Sequence, residues 1–162
     1  MELYDKNGDG KLDQQEMRAC AALLDAGPRV DRNRDQTVTA EELAGRLVEI
    51  GGQSAFLAAT TFVNWNGKPL AGAEVILEPE PFMGEGFPAF RGQTDPTGSV
   101  LLASETDGSN LLPLGFYRAR ISKTEGGAEK IPSQYNTQTT LGLEVADDAA
   151  SPNRIRFDLK SN

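Results

Sequence analysis

The sequence predicts an α+β chain of 162 residues: a small helical unit over residues 1–50, a linker over 51–55 and an all-β sandwich over 56–162. Three observations carry this reading. Before residue 50, apolar residues recur at helical spacing. The Gly51-Gly52-Gln53-Ser54 run that follows reads as a helix stop and a short linker. Beyond it the apolar segments become short, rich in β-branched and aromatic residues, and separated by turn clusters.

Gln14 to Ala26 places Met17, Cys20, Ala21 and Leu24 on one stripe of a single helix, which Gly27-Pro28 ends. Glu41 to Ile50 repeats the pattern with Leu43, Leu47 and Ile50. The predicted strands run from Phe56 to Val63, Ala73 to Glu78, Ser99 to Ala103, Phe116 to Ser122, Leu141 to Val145 and Arg154 to Leu159. Turn clusters such as Asn64-Trp65-Asn66-Gly67 and Asp95-Pro96-Thr97-Gly98 separate them.

Composition narrows the chemistry. Asp and Glu number 24 against 16 Lys and Arg, and residues 1–50 and the remainder each carry a formal −4. Evenly spread acidity argues against nucleic-acid binding, which needs a basic patch. The absence of His removes the commonest general base and zinc ligand, and with them every Ser-His or Cys-His nucleophile pair. Cys20 stands alone, so no intramolecular disulfide and no thiolate-rich metal site can form; its place on the helical stripe predicts a buried, inert thiol. No apolar run approaches a membrane span. No catalytic residue is predicted.

One segment carries recognisable chemistry. Asp5, Asn7, Asp9, Lys11, Asp13 and Glu16 fall at the oxygen-donating positions of the 12-residue EF-hand calcium loop, with Gly10 at its sharp turn. Asp5, Asn7 and Asp9 supply side-chain oxygens, Lys11 its carbonyl, Asp13 an oxygen directly or through water, and Glu16 both carboxylate oxygens. Calcium takes roughly six to eight hard oxygens, which this set can provide. A second copy places Asp31, Asn33, Asp35, the Thr37 carbonyl, Thr39 and Glu42 at the same positions. There Gln36 replaces the glycine, at a cost of roughly 1–2 kcal/mol for a left-handed backbone, and Thr39 replaces a carboxylate. One strong and one weaker Ca2+ site are therefore expected.

Met17 to Val30 leaves room for one helix only, and Met1 to Tyr4 is a stub, as in a piece of a longer protein. The pair resembles the compact, dockerin-like EF-hand pairs of bacterial extracellular proteins. That resemblance implies a short antiparallel bridge joining the loops at Leu12 and Val38.

The Gly67 to Val75 segment, Thr94-Asp95-Pro96-Thr97-Gly98-Ser99-Val100 and Leu112-Pro113-Leu114-Gly115-Phe116-Tyr117-Arg118-Ala119 resemble, in order, the signatures of transthyretin-like, or carboxypeptidase regulatory-like, domains. The resemblance implies a seven-stranded Greek-key sandwich in a secreted, periplasmic or cell-surface protein. The hydrolytic members of that wider group depend on histidines, which this chain lacks.

Two functional readings follow. In the first, calcium orders the loop pair beside a non-enzymatic structural or adhesive module. In the alternative, the Pro/Gly-rich loop 79–90 presents Phe82, Met83, Phe87 and Phe90 to a protein or glycan partner. Burial of those rings is the competing expectation.

Overall fold

The computed structural model of the protein describes residues 1–51 and 55–161; most of the expected 51–55 linker lies outside them. The N-terminal segment comprises β1 (Lys11–Leu12), α1 (Gln14–Met17), α2 (Ala21–Ala26), β2 (Val38–Thr39) and α3 (Ala40–Glu49). Then follow β3 (Phe56–Ala58), β4 (Thr60–Trp65), β5 (Lys68–Pro69), β6 (Glu74–Pro79), β7 (Phe90–Gln93), β8 (Ser99–Leu101), β9 (Ala103–Ser104) and β10 (Leu111–Pro113). The chain ends with β11 (Gly115–Ser122), β12 (Thr124–Glu125), β13 (Ala128–Glu129), β14 (Leu141–Val145) and β15 (Arg154–Leu159).

The largest sheet is antiparallel throughout, in the order β14-β11-β6-β7-β9. A second sheet forms around β4, which pairs parallel with β15 and antiparallel with β5 and β8. Period-2 burial drives it: Ile155, Phe157 and Leu159 of β15 point inward while Arg154, Arg156 and Asp158 face solvent. Their apolar side chains join those of β4, β6 and β11 in one core. Buried Tyr117 donates its hydroxyl proton to the Pro113 carbonyl at 2.9 Å, so its polar tip is satisfied inside that core.

The α+β expectation, a distinct helical pair followed by a separate sandwich, is overturned. Strands make up 35% of the chain and helices 18%, and the fold is mainly a multi-sheet β fold. Among the described residues the three α-helices span four, six and ten residues, with 3-10 turns making up the rest of the helical share, and none is long enough to enclose a core of its own. The apolar face of α2 is buried against the sheet instead. Ala22, Leu23 and Ala26 of α2 are sealed in the same core as Leu143 and Val145 of β14. Approach is closest at Gly142, where a Cβ would lie 2.6 Å from the Ala22 backbone nitrogen.

The single helix expected over Gln14 to Ala26 is also broken. Arg18 caps α1 and Cys20 begins α2 from an extended backbone (φ −128°, ψ 86°). The break rotates the stripe: Ala22, Leu23 and Ala26 point inward, and Leu24 is left exposed. Cys20 is buried, and burial pushes its thiol pKa up to about 12, with nearby Glu80 adding to the effect.

Polar contacts lock the same seam. Glu144 of β14, its side chain fully enclosed, accepts from Arg46 Nε at 2.6 Å and Arg29 Nε at 2.5 Å. Arg46 also donates through both terminal nitrogens to Asp148, at 2.9 and 2.7 Å. The Asp25 carboxylate accepts from the Glu144 backbone N–H at 3.0 Å. At the other end, Tyr4 donates to buried Glu80 at 2.5 Å and stacks edge-on with Phe82, which meets Phe116 in the same way. Burial and the Glu80 carboxylate push the Tyr4 hydroxyl pKa well above its ordinary value.

Gly142→Ala should destabilise the fold by roughly 1–3 kcal/mol, because the added methyl meets backbone rather than a movable side chain; urea unfolding checks this. Arg46→Met leaves Glu144 buried with half its compensation and should cost about 3 kcal/mol, read as a fall in Tm on the order of 10 °C. The Arg46 hydrogen bonds hold the Asp148 carboxyl below its ordinary value. Their contribution is therefore present above the unfolded Asp value of about 3.9 and lost as pH falls through the lowered one. In Asp148→Asn the acid limb of the stability–pH profile should flatten.

Candidate metal centre

The two acidic loops fold by one hydrogen-bonding scheme. In the first, Asp5 accepts from the Gly8 and Gly10 N–H groups at 2.6 and 2.9 Å, Asn7 from Asp9 N–H at 2.8 Å, and Asp9 from Lys11 N–H at 2.9 Å. In the second, Asp31 accepts from Asp35 and Gln36, Asn33 from Asp35, and Asp35 from Thr37. Each short side chain thus captures a donor two to five residues ahead, curling the chain of each loop.

The closing glutamates match as well. Glu16 accepts from Lys6 and Asn7 with one oxygen and from Asp13 with the other. Asp13 in turn caps α1, completing a reciprocal capping box. Glu42 and Thr39 repeat that box at the start of α3. Burial pushes the Glu42 pKa up, but hydrogen bonds from the Thr39 N–H and hydroxyl and from the Asn33 N–H outweigh it and hold it below its ordinary value. The Asp35 carboxyl is likewise lowered, first by the Thr37 hydroxyl at 2.6 Å.

The loops meet back to back. Lys11 pairs with Thr39 and Leu12 with Val38, and both apolar partners are fully buried. Lys11 and Thr39 thus lie on the bridge and Thr37 just before it. Each loop is anchored by a residue at its edge: Tyr4, beside Asp5, holds Glu80, and Arg46, one turn beyond Glu42, holds Glu144.

All twelve predicted donors therefore lie in two matching loops, and every candidate donor atom is oxygen, the chemistry a hard divalent cation requires. Among the described residues no three His, Cys, Asp or Glu side chains are gathered closely enough to hold a metal by themselves. Both loops mix carboxylates with Asn and carbonyl oxygens, and both glutamates are turned onto backbone N–H groups.

One electrostatic feature stands out. None of Asp5, Asp9, Asp13, Glu16, Asp31, Asp35 and Glu42 takes part in an ion pair among the described residues. Elsewhere some acidic side chains are in salt bridges, as Glu144, Asp148, Glu78 and Asp158 are.

The loops differ in their left-handed residues. Gly8 (φ 75°) and Gly10 (φ 81°) take these positions in the first loop, and Arg34 (φ 60°) and Gln36 (φ 69°) in the second. Sequence reading flagged Gln36 and passed over Arg34, although its alignment with Gly8 was there to be seen. It also passed over Glu80 and Glu144, whose partners lie far away in the chain.

The aromatic loop faces inward. Met83 and Phe90 are buried, and Phe82 and Phe87 are half-buried against the core. The Met83 sulfur accepts from the Phe116 N–H at 3.4 Å. Among the described residues no helix is long and apolar enough to cross a membrane. No protein-family model matches the chain, and no curated protein matches it significantly, so both resemblances rest on sequence motifs alone.

Gln36→Gly should raise stability by about 1 kcal/mol by removing left-handed strain, less what the 3.2 Å Gln14–Gln36 hydrogen bond contributes. Chemical denaturation reads the difference.

Proposed function

We propose that the chain is a non-enzymatic calcium-binding protein whose two acidic loops take up Ca2+ beside a β-sheet body of structural or adhesive role. The observation carrying this is the set of seven loop carboxylates that form no salt bridge among the described residues. Like charges held in two small loops repel, and an added divalent cation relieves that repulsion. The ligands would be Asp5, Asn7, Asp9, Asp13, Glu16 and the Lys11 carbonyl in the first loop. In the second they would be Asp31, Asn33, Asp35, Thr39, Glu42 and the Thr37 carbonyl. The first loop is the stronger site, because its left-handed positions are glycines and Asp13 supplies a charge that Thr39 does not. By resemblance to compact EF-hand pairs, the setting is extracytoplasmic. The alternative, partner binding through loop 79–90, is less favoured, because the rings at 82, 87 and 90 are used in packing.

Calorimetric titration of chelator-stripped protein tests this. Two binding events are expected, the stronger weakened at least about tenfold by Glu16→Gln. Saturation at about 100 times Kd should stabilise the fold by about 2.7 kcal/mol. No heat and no rise in Tm at millimolar calcium would sink the proposal.

A further inference from the structure

The left-handed residues of the second loop open onto a cleft of about 770 Å³ behind the loop pair. Its floor is apolar and closed: Met17, Leu23 and Val38 are buried. Leu24, turned outward by the break between α1 and α2, is 45% exposed on its rim. The polar lining includes Arg18, Arg34 and Gln36.

Two facts distinguish this cleft from an incidental hollow. First, Arg34 and Gln36 occupy left-handed backbone where the first loop carries glycine, at roughly 1–2 kcal/mol each, and both side chains line the cleft. Second, neither Arg18 nor Arg34 is paired with an acidic side chain among the described residues. The acid beside them, Asp31, has both oxygens turned onto the Asp35 and Gln36 N–H groups. Exposed Leu24 and Pro28 beside two free guanidiniums are complementary to an apolar segment flanked by carboxylates.

The geometry points to a docking site for an acidic, apolar peptide segment of a partner protein: its apolar side chains settle against exposed Leu24 and Pro28 above the closed floor, and its flanking carboxylates meet Arg18 and Arg34. The open rim favours a chain segment over a small molecule, since Arg18, Leu24, Arg34 and Gln36 are all exposed and small-molecule sites enclose most of their ligand. The cleft adjoins the second loop and shares Asp31 with the proposed calcium site, so binding is measured both with calcium and with chelator.

The probe is a fluorescein-labelled peptide with a Leu-Phe-Leu centre and two Glu on each flank, followed by fluorescence polarisation. It should bind the whole chain. The same centre flanked by Lys, and the Glu peptide with Ser at its centre, should each bind at least about tenfold more weakly. Arg18→Glu with Arg34→Glu should weaken the first peptide at least about tenfold, whereas Arg91→Glu on β7 should leave it unchanged. Arg34→Gly provides the same test without risk to folding, because it removes the guanidinium and relieves strain; it should weaken binding while Tm rises. The proposal is overturned if the Lys-flanked peptide binds equally, if the arginine variants bind as the parent does, or if no peptide binds up to about 1 mM. Arginine-dependent binding of dodecanoate in place of the peptides would equally overturn it, giving the cleft to a small amphiphile.

Discussion

The enclosed carboxylate of Glu144 is the constraint on which the relation between the two halves of the chain depends. A carboxylate removed from water costs several kcal/mol unless it is compensated. Here both compensating charges, Arg29 and Arg46, come from the N-terminal segment. β14 can bury that residue only when α2 and α3 are in place. Helix α2 in turn buries its apolar face only when β14 is there. Neither half is complete alone, and so the chain is a mainly β fold with helices laid on it.

The same seam fixes the ends of both acidic loops. Tyr4 holds the start of the first loop through Glu80, and α3 carries the end of the second to Glu144. Glu42 and Arg46 lie four residues apart on one helix, hence on the same face one turn apart. A candidate calcium ligand and the central cation of the seam are therefore joined by a single helical turn.

Much of this was legible where physics is local. The strands at 141–145 and 154–159 follow from spacing and residue type alone. The errors came from long-range terms. Nothing near Arg18 announces that the Gln14 to Ala26 stripe will break; the helix beyond the break packs closely on Gly142, well over a hundred residues away in the chain. The β7 strand escaped notice because Phe90 ends a Pro/Gly-rich run whose apolar residues looked like loop. Glu80 and Glu144 looked like ordinary surface acids, since a buried charge declares itself only through its partners.

The two loops pose a sharper question, because one hydrogen-bonding scheme is built from different residues. Backbone N–H groups donated to Asp, Asn and Glu already set the curl of each loop, and the fold sets its ends. On the calcium reading, then, the cation is not needed to shape the loops; its contribution is to neutralise charge that the fold leaves uncompensated. A loop already shaped has latitude in its side chains. The first loop uses glycine at its left-handed positions and presents nothing outward. The second accepts strain at both and places Arg34 and Gln36 over an apolar cleft. If strain is tolerated only where something offsets it, the offset lies at that cleft rather than at the ion, because neither side chain is a donor to the candidate metal site.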